Sequence, residues 1–433
     1  MNPPTNNLIE GPEPALRGLR APVRGFGALD LFLRERVIAK LRQLRWGHLL
    51  IEDAAGALHL GTRTSDLCAR VQVSNPAFYR AVAAGGSVGA AEAYMAGDWR
   101  CDDLVALVRI LARNRDVLDG LERGWARLQG WLLRGAQALR RNTAAGSRRN
   151  IAAHYDLGNE FFSLFLSPDL MYSSAYWTRG DDTLATASTR KLERICRTLR
   201  LAPADHVLEI GSGWGGFALH AAARYGCRVT TTTISREQYA LATERIARAG
   251  LGDRVTVLLE DYRSLTGQYD KLVSIEMIEA VGAAYLGHYF AQLGRLLRSS
   301  GLALLQAITI EDHRYAQALK SVDFIKRHVF PGSFMPSIQA MLAAKTETSD
   351  LALVHLEDFG LSYARTLEAW RQRFLARQAE VRKLKFDEPF IRLWEFYLAY
   401  CEGGFRERSI GVAHLLFAKP GFRGAAPYAG DAG

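Results

Sequence analysis

The sequence predicts an α/β protein built on a Rossmann-like, doubly wound parallel sheet, with a small α+β unit ahead of it. Three observations carry this reading. Between about residues 206 and 310, short apolar runs alternate with helix-length amphipathic segments, the pattern of successive βαβ units. The first run, Val207-Leu208-Glu209-Ile210, enters the glycine-rich turn Gly211-Ser212-Gly213-Trp214-Gly215-Gly216. Such a turn lets the backbone approach a nucleoside closely at the carboxyl edge of a parallel sheet. Upstream of residue 115 the pattern changes to a hairpin, a short alternating strand and brief helices.

Taken in order, residues 1–29 are a flexible lead rich in Pro, Asn and Gly. Leu31 to Leu44 has helical spacing, with Arg and Lys opposite the apolar face. His48 to Leu60 reads as a hairpin turning through Asp53 to Gly56, and Arg70 to Val73 as a short strand. Pro76 to Ala84 reads as a helix stopped by Gly85-Gly86. Asp102-Asp103 is expected to cap a helix over Leu104 to Ala112. Residues 30–114 therefore form the small α+β domain.

Residues 115–150 place Trp125, Leu128, Trp131, Leu132 and Leu133 near one helical face. Arg123, Arg127, Arg134, Arg140, Arg141, Arg148 and Arg149 give the segment strong positive charge. The composition suits a linker helix packed by its apolar stripe, or an interfacial helix lying on anionic lipid. One helix can do both.

The larger domain spans residues 151–420. Strands are expected at His206–Ile210, Cys227–Thr232, Arg254–Leu259, Tyr269–Ile275 and Leu302–Ile310. Helices are expected at Gly215–Tyr225, Arg236–Ala249 and Ala284–Leu297. Past residue 310 the pattern turns helical, broken by Phe330-Pro331-Gly332-Ser333-Phe334-Met335-Pro336. That loop reads as a lid or substrate wall within an insertion near 311–365. Residues 421–433 read as a flexible tail.

The chain has 433 residues, 48% of them hydrophobic and 23% charged, with a net charge of +10. This is a globular, basic composition that favours nucleic acid or an anionic membrane surface. The five cysteines are scattered without metal-like spacing, which suits reduced thiols in a cytoplasm. Met1 to Ala15 lacks the apolar core of a signal peptide, and no run of 18 apolar residues exists. Membrane work is therefore expected to be peripheral. His328 and His355 lack neighbouring metal-ligand partners in sequence, so no metal is expected. Nucleic acid is disfavoured, because the Asp/Asn-Pro-Pro-aromatic motif and interleaved basic–aromatic repeats are missing.

Gly211, Gly213 and Gly216 also satisfy GxGxxG. A dinucleotide site needs an acid about 20 residues later to hold the ribose. That place holds Thr230-Thr231-Thr232-Thr233. Glu209 before the first glycine and Trp214 within the loop fit S-adenosylmethionine better. Glu209 is expected to organise the loop by hydrogen bonds, and Asp261, after the third strand, to face the adenine edge.

The catalytic half resembles the cyclopropane-fatty-acyl-phospholipid synthase family, kin of the mycolic-acid cyclopropane synthases. The matching segments are His154–Asn159, Met171–Trp177, the glycine loop, Thr233–Gln238, Glu260–Arg263, Glu276–Gly282, Phe330–Gly332 and Cys401–Arg406. The resemblance implies a class I methyltransferase fold with an N-terminal lipid-engaging domain. It implies S-adenosylmethionine contacts at Tyr155, Ser173, Gly211, Gly213, Thr233, Ile234, Gln238 and Glu260. Thr233 and Gln238 would replace the missing ribose acid, since neutral hydrogen-bonding groups suffice there.

The implied reaction is methylene transfer to a cis double bond of phospholipid acyl chains at an anionic membrane surface, forming cyclopropanes. Methylene- or methyl-branched products are the close alternative, and a non-catalytic lipid-binding relative is a further one. The resemblance also implies bicarbonate as proton acceptor, in a pocket of Ser174, Glu279, Gln306, Ile308 and Tyr363. Ser174 stands where many relatives have Cys, and Gln306 where many have His. Relatives further suggest a homodimer, and a location in the cytoplasm against the membrane's inner face.

Overall fold

The computed structural model describes residues 25–122 and 157–424. Its first sheet has four strands: β1 (His48–Asp53), β2 (Gly56–Gly61), β3 (Cys68–Val73) and β4 (Trp99–Cys101). Their order is β2-β1-β3-β4, with β1 parallel to β3 and the other pairs antiparallel. The predicted hairpin is β1–β2. Helices Ala28–Leu41, Ala77–Ala96 and Leu104–Arg113 accompany this sheet, and Asp103 caps the last by accepting from Ala106 N at 2.9 Å.

One expectation fails here. The helix from Ala77 does not stop at Gly85-Gly86 but runs on to Ala96. Gly86 takes φ +56° and kinks it, and left-handed Gly97 ends it. Helical glycines cost about 1 kcal/mol each. Beyond the kink, buried Val88, Ala91, Ala93 and Tyr94 offset that cost by packing into the core.

The second sheet has seven strands: β5 (His206–Ile210), β6 (Arg228–Thr232), β7 (Val255–Leu258), β8 (Tyr269–Ile275), β9 (Leu297–Ile310), β10 (Ala352–Asp358) and β11 (Ile410–Ala418). Their order is β10-β11-β9-β8-β5-β6-β7. Strands β7, β6, β5, β8 and β9 are mutually parallel, and β11 runs antiparallel between β9 and β10. The resemblance implied this class I methyltransferase sheet. The chain leaves β5 toward β6 on one side and later places β8 on the other. A crevice therefore opens at the carboxyl ends of β5 and β8, where open α/β sheets bind ligands.

Strands β10 and β11 correct the expectation that everything past residue 310 is helical. Strand β11, Ile-Gly-Val-Ala-His-Leu-Leu-Phe-Ala, is nearly continuously apolar because both faces are covered. Such a run has no period to distinguish strand from buried helix. Strand β9 begins at Leu297, ahead of the predicted Leu302, because Ser299-Ser300-Gly301 stays extended.

The front unit and the helices of the larger domain share one apolar core that includes Val105 and Ile110 from the former and Trp394, Leu398 and Phe405 from helix Glu388–Arg406. A Cβ on Gly403 would lie 2.8 Å from Val108 Cβ, so glycine is what allows the close helix approach. Glu407 binds Arg109 at 2.7 Å and Arg113 at 2.8 Å across the same seam. Tyr94 donates to Glu395 at 3.0 Å. Of the basic segment 115–150, Arg115–Glu122 is helical, and the remainder lies outside the described residues. No helix among the described residues is long and apolar enough to cross a membrane.

Candidate active site

The glycine loop leaves β5 and is tied to β6 by its backbone. Gly211 N and Ser212 N both donate to Thr232 O, at 3.0 and 2.8 Å. Gly211 has φ +95°, and a Cβ there would sit 3.2 Å from Met277, so a side chain is excluded by both conformation and space. Trp214 tucks inward and donates through Nε1 to Asn159 at 2.6 Å. Glu209 does not organise the loop as expected. Its side chain accepts from Thr231 on the next strand at 2.6 Å, and burial raises its pKa to about 8. Gly211 N and Ser212 N are taken by Thr232 O, and the Glu209 carboxyl turns to Thr231 instead.

A cavity of about 580 Å³ begins at this loop. Ser173, Glu209, Gly211, Gly213, Thr233, Ile234, Gln238, Glu260 and Asp261 all line it. Tyr155 lies outside the described residues. Thr233 Oγ1 donates to Gln238 Oε1 at 2.8 Å, which leaves the Gln238 amide nitrogen without a protein partner among the described residues. Asp261 accepts from Arg263 N at 3.0 Å, holding the turn after β7 against the cavity.

The same cavity continues past Glu276, Glu279, Ile308 and Tyr363 and into the front unit. There it is walled by apolar side chains such as Leu49, Ile51, Val71, Phe78 and Trp99. Residues 330–335 form part of its wall. Phe334 N is anchored to Glu279 O at 3.0 Å.

Between the polar and apolar stretches, three distant segments meet on one carboxylate, that of Glu276. Glu276 Oε1 accepts from Ser174 N at 2.9 Å and from Gln306 Nε2 at 2.7 Å. Its Oε2 accepts from Tyr363 OH at 2.7 Å. Gln306 Oε1 in turn bonds His414 Nε2 at 3.0 Å across the β9–β11 register. Burial pushes the pKa of His414 down to about 3, so the ring is neutral and its Nε2–H is the donor.

Glu279 Oε1 accepts from Ile308 N at 2.6 Å, and its Oε2 has no hydrogen bond among the described residues. Burial, and then the neighbouring Glu276, raise its pKa to about 8. Lys191 is fully buried beside this group, donating to Ser173 Oγ at 2.7 Å. Burial lowers its pKa to about 8, so at neutral pH it remains mostly a cation.

The structure thus gathers Ser174, Glu279, Gln306, Ile308 and Tyr363 as expected, but their donors do not converge on open space. Ser174 N, Gln306 Nε2 and Tyr363 OH serve Glu276, and Ile308 N serves Glu279. Ser174 Oγ bonds Ala175 O at 2.9 Å. Ser174 and Gln306 are buried behind Glu276 and are not part of the cavity wall. The residues present do not fit a separate bicarbonate, whose place and donors a protein carboxylate already takes.

Sequence reading assigned no role to Glu276, Lys191 or His414. Lys191 had a signal: it lies on the apolar stripe of helix Leu184–Leu199, with Leu184, Ala187, Leu192, Ile195 and Leu199. A lone charge on a core-facing stripe needs a partner. His414 had none, being a single polar residue in an apolar strand.

Comparison with known proteins agrees with this geometry. The family model for mycolic acid cyclopropane synthetase matches residues 142–415. The chain is 39% identical over 352 residues to the tuberculostearic acid methyltransferase UfaA1 of Mycobacterium tuberculosis, covering 80% of this chain and 82% of that one. It is 36% identical over 353 residues to the cyclopropane-fatty-acyl-phospholipid synthase of Escherichia coli K12, covering 81% and 88%. A crystal structure of mycolic acid cyclopropane synthase CmaA1 complexed with SAH and CTAB is similar at 29% identity and a TM-score of 0.59, over 63% of this chain and 98% of that one. Sheet order, glycine loop and matched sequence together place this chain in the mycolic acid cyclopropane synthetase family, whose members are S-adenosylmethionine-dependent enzymes.

Proposed function

We propose that this chain transfers a methylene group from S-adenosylmethionine to the cis double bond of unsaturated acyl chains in membrane phospholipids, closing a cyclopropane ring. One observation carries the proposal: a single cavity joins the glycine loop to a pair of carboxylates and then to an apolar channel.

Gly211, Gly213, Thr233, Ile234, Gln238, Glu260, Asp261 and Ser173 would hold the cofactor, with Glu209 beneath them. When bound, S-adenosylmethionine supplies an electrophilic sulfonium methyl group. The alkene is a weak nucleophile, so the apolar channel contributes mainly by alignment, which can be worth several kcal/mol. Methyl transfer leaves a carbocation on the acyl chain. Phe330, Tyr363 and the apolar walls keep water from it until a proton is lost.

The work would be done at the inner face of the membrane, without a spanning helix. Leu29, Leu31, Phe32 and Trp46 are exposed near the chain's first described helix, alongside exposed Arg36, Lys40, Arg42 and Arg45. Apolar and basic side chains together suit an anionic lipid surface.

The test is incubation with methyl-labelled cofactor and vesicles of cis-unsaturated phosphatidylglycerol. Label is expected in the acyl chains, with high-field ring protons by NMR. Unlabelled lipid from folded protein that binds the cofactor would overturn the proposal. Likeness to a tuberculostearic acid methyltransferase supports the second reading, a methylene- or methyl-branched product. Olefinic protons in place of ring protons would decide for the methylene product.

A further inference from the structure

We infer that Glu276 is the proton acceptor of this reaction, a carboxylate carried by the chain itself at the position where the family resemblance implies a bound bicarbonate. The inference rests on the acyl-methylation reading.

Glu276 follows β8 with φ +48°, in the left-handed region that non-glycine residues seldom adopt. A side chain is held there only where the surroundings determine it. Here they do. Oε1 is filled by two donors, Ser174 N and Gln306 Nε2. Oε2 has one donor, Tyr363 OH, and keeps a second lone pair. Burial raises the Glu276 pKa above the usual carboxylate value; against it, Tyr363 OH, Ser174 N, Gln306 Nε2 and then the buried Lys191 charge favour the ionised form.

Glu279, three residues on, has one donor for its carboxyl and none for Oε2. The Glu276 charge disfavours a second charge on Glu279, and the carboxyl with fewer donors keeps its proton. Glu279 is thus the neutral acid and Glu276 the base. Both line the cavity, whereas Ser174, Gln306 and His414 stand behind Glu276 and act as positioning residues.

The chemistry balances without an added anion. The alkene π pair forms the new C–C bond to the methyl carbon, while the C–S bond breaks and its pair stays on sulfur. The second alkene carbon becomes cationic. Glu276 Oε2 takes one proton from the new methyl group, and the freed C–H pair closes the ring onto the cationic carbon. The resulting carboxylic acid returns its proton to water after the product leaves.

The test uses the full chain with labelled cofactor and cis-unsaturated phosphatidylglycerol vesicles, in carbonate-free buffer and with sodium bicarbonate added. Wild-type turnover is expected to be the same in both. Glu276→Gly suits the local backbone and opens the anion site. Its turnover is expected to fall about 100-fold in carbonate-free buffer and to recover at least about tenfold with bicarbonate. Calorimetry with sodium bicarbonate should detect binding to Glu276→Gly and none to wild type. Glu276→Gln, which keeps the volume, should stay inactive with or without bicarbonate while melting and binding cofactor like wild type.

Wild-type turnover that collapses without bicarbonate would overturn the inference. So would Glu276→Gly with full activity in carbonate-free buffer, or bicarbonate binding equally to both proteins. The calorimetric result stands even if no lipid is methylated, whereas unlabelled lipid from the wild type refutes the acyl-methylation reading instead.

Discussion

The two ends of the cavity are built in opposite ways. The cofactor end is made of backbone and near neighbours: a glycine turn, Thr233 bonded to Gln238 five residues on, and Asp261 capping its own turn. The carboxylate end is made of the Ser174 backbone N–H and the side chains of Glu276, Gln306, Tyr363 and His414, spread over 240 positions of the chain and joined only by folding. Local construction makes the first end tolerant of changes elsewhere. Distributed construction makes the second sensitive to every member, because each buried polar group completes another.

Gly211→Val is the largest test of that contrast. With φ +95° and Met277 at 3.2 Å, no β-branched residue fits. Cofactor binding by calorimetry should vanish and turnover with it, while circular dichroism stays near wild type. Binding within about threefold of wild type would remove the loop from the cofactor site.

Gln306→Leu cuts the other end. It leaves His414 Nε2–H without its acceptor and Glu276 Oε1 with one donor fewer. The loss of stability should be roughly 1–3 kcal/mol. Turnover should fall about 10- to 100-fold at unchanged cofactor affinity. A weakened cofactor affinity instead would mean that the two ends are not independent.

Glu279→Gln separates the two carboxylates by pH. The Glu279 pKa is raised from 4.5 to about 8, by burial first and by Glu276 second. Between those values the unfolded chain is ionised and the folded chain keeps its proton. The stabilising contribution is therefore full below 4.5 and lost as pH rises toward about 8, at about 1.4 kcal/mol per pH unit for one group. Glu209, raised to about 8, adds a slope of the same sign. Lys191, lowered from 10.5 to about 8, is charged in both states below that pH and adds none in this window. The melting temperature of Glu279→Gln should fall less steeply than wild type between about pH 5 and 8. An unchanged slope would show Glu279 already ionised in the fold.

Thr233→Val is the smallest change. It removes the bond donated to Gln238 and the one accepted from Ser235 N, each worth about 1 kcal/mol, and should weaken cofactor binding about fivefold without altering the rate at saturation. A drop in that rate would carry the cofactor end into the chemistry.

The same contrast explains what was legible in the sequence. Strands β5 and β8 and the helices around the glycine loop were readable because period and glycine placement are local signals. The nine described residues expected at the cofactor all line one cavity for that reason. Strand β11 was missed because burial on both faces erases periodicity, and with it went His414. The kinked helix through Gly86 was cut short because its second half is stabilised by a core that sequence windows do not see. Glu276 stood in a matched segment but drew no assignment. Its meaning depends on Ser174, Gln306 and Tyr363 arriving from 102, 30 and 87 positions away. Lys191 was the readable omission, an ammonium on an apolar stripe.

Gly403, pressed against Val108, has a consequence for product purity. The helix it belongs to closes the seam between the front unit and the larger sheet, and Phe405 from that helix packs on Tyr363 with ring centroids 4.4 Å apart. A cationic acyl chain is captured by whatever nucleophile arrives first. If the seam parts by the width of a water molecule, hydroxide equivalents compete with ring closure and the enzyme releases an alcohol. On the proposed reaction, a glycine far from the reacting carbon would therefore guard the identity of what leaves the enzyme.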